Sequence, residues 1–299
     1  MTNPTNLQTL NRLTASIENL RDGPHAARPV VTEIRPTKGL FDLELEGLWP
    51  YRELLGVLVK RDIQILYRQA ALGIAWAILQ PAFSVLIFAI IFGHFAKMPS
   101  DGIPYPIFAF AGVLPWTYFA EALRRSSNGL VAEAELIRKV YFPRLLVPVA
   151  GIIAPALDFF VGLVILLGLM LVYGVMPTWN LLAVVPLLAL AGFQALAIGL
   201  WLGPINVRFR DIKYTLPFLI QIWMYASPIV YPLSLIPKEW HWLYSLNPMV
   251  GVIEGFRWAI AGGTFNVLPL LISVAVGSVL IVGALVFFKH MERTFADVI

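Results

Sequence analysis

The chain reads as an all-α polytopic membrane protein with six transmembrane helices. An amphipathic interface helix precedes the first span, and a periplasmic re-entrant helical hairpin precedes the last. Three observations carry this reading. Of the 299 residues, 59% are hydrophobic and 13% charged, where a soluble domain carries about 25% charged residues. The apolar residues fall in blocks, several of which approach or exceed the ~20 that cross a bilayer as a helix. The basic residues sort unequally between the connections.

Residues 1–47 are polar and rich in Pro, Asn and Arg. They lack the apolar core of a cleavable signal peptide and read as a cytoplasmic tail. Residues 48–69 read as the interface helix. At about 100° per residue, Tyr51, Leu54, Leu55, Leu58, Val59, Ile65 and Leu66 share one arc, while Glu53, Lys60, Arg61, Gln64 and Arg68 share the opposite one. Asp62 interrupts the apolar arc. Such a helix either lies on the membrane with its bases toward anionic headgroups or packs against a cytoplasmic partner.

The spans are expected at about 72–96, with Pro81 inside, and at 105–124, 144–175, 179–204, 213–233 and 265–288. The third is longer than one crossing needs, so tilt, or kinks at Pro148 and Pro155, are expected. Residues 235–262 are amphipathic, aromatic and broken by Pro237, Asn247 and Pro248. They are too polar to cross and too apolar for an ordinary loop, which suits a re-entrant or interfacial hairpin. Residues 291–299 form a second tail. With the N-terminus inside, nine Lys or Arg precede the first span, five lie in 124–144, three in 208–213 and two follow 288. Only Lys97, Lys238 and Arg257 of the 22 then lie outside. Both termini are thus expected in the cytoplasm of a bacterial inner membrane.

The residue inventory excludes most chemistry. No cysteine is present, so disulfides, thiolate catalysis and Cys-ligated zinc are ruled out. None of the seven lysines follows a glycine, so no phosphate-binding G-x-x-x-x-G-K-[ST] loop exists. The H-E-x-x-H and G-x-S-x-G motifs are absent, and the four histidines are scattered at 25, 94, 241 and 290. No catalytic constellation or metal ligand set can be assembled. Asp158 is an acid inside a span, which suggests pairing, a kink cap or a polar path. Glu121 is expected near the cytoplasmic end of the second span. Glu254 and Arg257, three apart, are expected to pair on a helix.

The stretch "AEAELIRKVYFPR", residues 132–144, interrupts the oil. Glu133 and Glu135 come first and Arg138 and Lys139 last, the order that suits a helix dipole. Pro143 ends the element. A short helix at about 132–140 is expected, with Leu136 and Ile137 as an apolar knob. The bland alternative is a solvated turn whose bases only enforce topology. Among the many aromatics, Trp76, Phe83, Trp116, Tyr118, Tyr214, Trp223 and Tyr225 are candidates to line a path for sugar by position, with packing the competing role for each.

Taken in order, "YRELLGVLVKRDIQILYRQAALG", "LGIAWAILQP", "GVLPWTYFAEAL", "ELIRKVYFPRLLVPVA", "NVRFRDI", "SPIVYP" and "NPMVGVIEGFRWAI" resemble the permease subunits of ABC-2 type exporters of lipid-linked polysaccharide. The resemblance covers about residues 38–290. It implies a homodimer above two copies of a separate ABC ATPase subunit, which would bind ATP and Mg while this chain binds no cofactor. It identifies residues 132–140 as the coupling helix, with Glu133, Glu135, Leu136, Ile137, Arg138 and Lys139 facing the ATPase. Leu72, Gly73 and Trp76 match the start of the first span, where the substrate approaches. The substrate implied is undecaprenyl-diphosphate-linked polysaccharide, with O-antigen ahead of teichoic acid or capsular polysaccharide. Lys60, Arg61, Arg68 and Arg144 would meet its phosphates or those of membrane lipids. No nucleic-acid partner is implied. The rival readings are a small-molecule ABC-2 exporter, a membrane-embedded transferase and an ion-coupled carrier.

Overall fold

The computed structural model describes residues 49–68 and 74–298. Among the described residues the regular structure is helical throughout. In chain order the helices are α1 (Arg52–Arg68), α2 (Ile74–Phe88), α3 (Tyr105–Ala132), α4 (Ala134–Lys139), α5 (Leu146–Ile153), α6 (Ala156–Val172), α7 (Val184–Arg208), α8 (Ile212–Tyr225), α9 (His241–Tyr244), α10 (Pro248–Ala261) and α11 (Val267–Val298). Among the described residues, four helical stretches are long and apolar enough to cross a membrane: Tyr105–Ala132, Leu146–Val172, Trp179–Arg208 and Val267–Glu292.

The central element is α3, which packs against α7, α5, α10, α6, α2 and α8. Its 28 residues span about 42 Å at 1.5 Å per residue, well beyond the ~30 Å hydrocarbon core. The helix therefore continues past the expected boundary at 124. Glu121, Arg124 and Arg125 satisfy one another along it, at 2.6–2.8 Å. Close approach to α5 and α7 rests on small residues, which bring membrane helices near each other. A Cβ on Gly151 of α5 would lie 2.9 Å from the Ser126 backbone nitrogen, and one on Gly199 of α7 would collide with the Ser126 side chain. Asn206 of α7 donates to the Ser127 carbonyl at 3.2 Å and to Asn128 at 2.9 Å.

Several boundaries depart from the sequence expectation for identifiable reasons. The third span is two helices, broken at Ala154 and Pro155, since Pro155 has no N–H for the Gly151 carbonyl. α2 passes into a π-helical turn over Ala89–Phe95. The fifth span, expected to 233, is helical only to Tyr225. Pro228 disfavours helical backbone at Ser227, and residues 227–232 run on as a largely buried irregular strip. The 14-residue α8 is about 21 Å long. The last helix does not stop at 288: α11 runs to Val298, because Phe288 and Phe295, seven apart on one face, are both buried. The expected tail at 291–299 is therefore helical through Val298.

Two apolar clusters hold the bundle. The larger gathers α3, α6, α7 and α10 around Phe110, Phe119, Phe159, Leu187 and Phe256. The smaller sits at the α4 end, where Leu58, Leu130, Phe142, Leu146, Leu200, Phe288 and Phe295 meet. Leu54, Leu55 and Val59 of α1, with Tyr51 just before it, pack against this second cluster. The apolar arc of α1 thus covers the chain's own helices. Ile65, assigned to the same arc, is exposed, as is Val57 on the polar side.

Candidate functional site

At one end of the bundle, α3 runs into α4 through a single residue. Glu133 is the C-cap of α3 and the N-cap of α4. Its carboxylate is held by Arg61 of α1: Nη1 donates to Oε2 at 2.6 Å and Nη2 to Oε1 at 2.5 Å. The same Nη2 donates to Asp62 at 2.9 Å, which explains the acid that interrupts the α1 apolar arc. Glu133 keeps the Arg61 guanidinium protonated well above the ordinary arginine range, against the opposing effect of burial. A cleft of about 260 Å³ beside the pair is lined by Arg61, Asp62, Arg124, Arg125, Asn128 and Glu133. Its three bases are offset by Asp62, Glu133 and the neighbouring Glu121.

The outer surface of α4 is charged. Glu135 and Lys139 pair at 2.8 Å, both largely exposed, and Arg138 is exposed beside them. Leu136 and Ile137 are half-buried and pack on the α4-end cluster. The expected apolar knob therefore points inward, and the exposed apolar residues here are Val140 and Tyr141, the latter 71% exposed. No sequence periodicity could separate the two pairs, since a six-residue helix offers less than two turns.

The expected phosphate contacts are distributed differently from the sequence reading. Arg61 is engaged as described. Arg144 donates to the Glu292 carbonyl and stacks over Phe295 at 5.7 Å, so it anchors the end of α11. Lys60 is exposed and borders an open concavity along α1 with Arg52, Gln64 and Ile153. Leu72 and Gly73 lie outside the described residues, as do the side chains of Arg68 and Trp76.

The aromatic candidates divide by burial. Trp116 is buried and packs edge-on against Trp223 at 6.1 Å. Tyr118 is buried and donates to the Ile152 carbonyl at 3.0 Å, next to the α5–α6 break. Both pack inside the bundle, the competing role that the sequence left open for each. Trp223 is half-buried, donates to Asn247 at 3.0 Å and lines a shallow aromatic concavity with Trp240 and Tyr244. Phe83, Tyr214 and Tyr225 are exposed. On α8, Tyr214, Phe218, Ile222 and Tyr225 are all exposed and, at about 100° per residue, fall within one arc. That stripe lies opposite the buried Leu216 and Ile220.

At the other end of the bundle, Arg257 of α10 is 5% exposed. It donates to the Ile229 carbonyl at 2.8 Å, to the Tyr231 carbonyl at 3.4 Å and to Glu254 at 2.8 Å. Its guanidinium carbon lies 3.6 Å from the Phe108 ring centroid. Tyr105 donates to the Val230 carbonyl at 2.7 Å, and Asn247 donates to Ser227 at 2.9 Å. Three successive carbonyls of the irregular strip after α8, those of Ile229, Val230 and Tyr231, thus accept from side chains. The sequence showed the Glu254–Arg257 pair but not its long-range carbonyl partners. Among the described residues no cluster of three His, Cys, Asp or Glu that could hold a metal is present.

Comparison with known proteins agrees with this arrangement. Residues 53–261 match the ABC-2 type transporter family, from the first turn of α1 to the end of α10. The O-antigen export system permease protein RfbA of Myxococcus xanthus is 32% identical over 254 residues, covering 84% of this chain and 96% of that protein. An RfbA of Klebsiella pneumoniae is 26% identical over 248 residues, 83% of this chain and 95% of its own length. The polysialic acid transport protein KpsM of Escherichia coli is 31% identical over 209 residues, 68% and 79% of the two chains. With most of its helices inside the matched region and a relative aligned along nearly its whole length, the chain belongs to the ABC-2 type transporter family.

Proposed function

We propose that this chain is the permease subunit of an ATP-driven exporter that carries lipid-linked polysaccharide, with O-antigen the leading substrate, out of the cytoplasm. The observation that carries the reading is the near-complete alignment with an O-antigen export permease. Capsular polysaccharide is the second reading, favoured by the similarity to KpsM.

Two copies of the chain sit over two ATPase subunits in the inner membrane, and ATP and Mg are bound by those subunits. Six crossings place both termini and α4 in the cytoplasm. α2 with its π-helical end and α8 with the strip to Pro232 supply the two crossings beyond the four long ones. Residues 233–261 re-enter from the periplasmic side. The coupling contact is the exposed face of Glu135, Arg138 and Lys139 with Val140 and Tyr141, while Leu136 and Ile137 brace α4 from behind. Lys60 and Arg68 meet lipid phosphate at the cytoplasmic boundary. The α8 stripe faces the conduit between the two copies, where aromatic faces meet the apolar faces of sugar rings.

A chromosomal deletion of this gene tests the reading. Loss of the lipopolysaccharide ladder with polysaccharide trapped inside the cell, both restored by the gene in trans, is the expected result. Loss of capsule alone moves the assignment to the second reading, and an unchanged envelope overturns both.

A further inference from the structure

We propose that Arg61 is a positioning residue that ties the interface helix α1 to the coupling helix, so that both are displaced as one body when the ATPase subunits close. The inference rests on the coupling role proposed for α4. Its own basis is the pair between Arg61 and Glu133, which joins positions 72 apart in the chain.

The placement of Glu133 matters first. It is the one residue between α3 and α4, so a push on α4 bears on this joint as well as on the cluster behind Leu136 and Ile137. The geometry matters next. Both guanidinium η nitrogens engage both carboxylate oxygens, at 2.6 and 2.5 Å, and a two-point fork fixes orientation as well as distance. Asp62 holds Nη2 from the α1 side at 2.9 Å, which removes the swing that a lone arginine would retain. Beneath the fork lies apolar contact: Leu58, one turn earlier on α1, is buried in the cluster that Leu136 and Ile137 also pack against.

Magnitudes separate a positioning role from a stabilising one. The Arg61 side chain is 38% exposed, and ion pairs at that exposure add little to stability. What the fork adds is register between two helices that are remote in sequence. α1 ends at Arg68 and α2 begins at Ile74, so α2 is the next helix in the chain after the tied one.

The test uses the full permease–ATPase complex in vesicles, with three variants: Arg61→Glu, Glu133→Arg and the two combined. Each single change is expected to lower ATP-dependent polysaccharide transport about tenfold, equivalent to about 1.4 kcal/mol. The charge-swapped pair is expected to recover to within about threefold of wild type, since a two-point fork can form with reversed polarity and Asp62 can then accept from the guanidinium on the α4 side. A second readout separates positioning from folding. The chain has no cysteine, so cysteines at the exposed Val57 of α1 and the half-buried Ala134 of α4 can carry spin labels. In the wild type their separation is expected to stay constant when ATP is added; in Arg61→Ala it is expected to change. A swapped pair no better than the single variants, or a wild-type separation that shifts with ATP, overturns the proposal. A wild-type complex that moves no polysaccharide overturns the functional reading instead, and the label separation still reports on the tie.

Discussion

Replacing Arg257 with methionine should loosen the end of the bundle opposite α4, and replacing Glu254 as well should repair part of the damage. Arg257 is 5% exposed and holds two carbonyls of the irregular strip and one carboxylate. Removing one member of a buried ion pair costs about 3–5 kcal/mol, because the partner charge is left without compensation. Losing the bond from a charged donor to the Ile229 carbonyl accounts for about 1.5–3 kcal/mol. The two overlap, since both arise from the same guanidinium. The Glu254 side chain remains a quarter exposed, so water relieves part of its stranded charge and the lower end, about 3 kcal/mol, is expected. With a sensitivity of about 2–4 °C per kcal/mol for a chain of a few hundred residues, Tm should fall by about 6–12 °C. In the double variant no charge is stranded, but the Ile229 and Tyr231 carbonyls still lack their donor, so Tm should return part of the way. Thermal unfolding in detergent, followed by tryptophan fluorescence, reads the effect, and Trp116 and Trp223 lie in the larger cluster that the strip covers. A drop below about 2 °C for Arg257→Met, or a double variant as unstable as the sum of the singles, would show that Arg257 does not clamp the strip.

The surface of α4 makes a sharper distinction. Tyr141→Ala should weaken binding of the ATPase subunit, measured by co-purification, and leave Tm unchanged, whereas Ile137→Asp should lower Tm because it places a charge against the α4-end cluster. The aromatic candidates divide the same way. Tyr118→Phe removes one buried bond and should cost about 0.5–1.5 kcal/mol in unfolding assays with no change in transport. Tyr214→Ala combined with Tyr225→Ala should slow polysaccharide transport in vesicles and leave unfolding unaltered; equal effects on both readouts would remove the conduit role from the α8 stripe.

Most helices were legible because apolar blocks and proline breaks are local signals. Pro155 marked a break that the fold realises, and the acid-to-base order of residues 133–139 marked α4. What escaped was decided by distant partners. The Glu121, Arg124 and Arg125 cluster suggested a membrane exit but gave no sign that the helix itself continues: those charges satisfy one another and α3 runs on to Ala132. Pro228 offered a stop signal for α8, but the apolar run through Val230 masked it. Asp62 looked like a flaw in an amphipathic pattern until Arg61 and Glu133 were seen around it. Tyr118 and Tyr214 are chemically identical residues, and only the neighbours brought by α5 and α6 make one a buried donor while the other stays 77% exposed. Arg144 likewise owes its role to a carbonyl 148 residues away.

The division of labour between this chain and a separate ATPase is tested by reconstituting the chain in vesicles with and without that subunit and adding lipid-linked polysaccharide outside. Glycan should become protected from an external glycosidase only when both the ATPase and ATP are present, and the chain alone should hydrolyse no nucleotide. Protection of glycan by the chain alone, or nucleotide hydrolysis in the absence of the second subunit, would contradict the account.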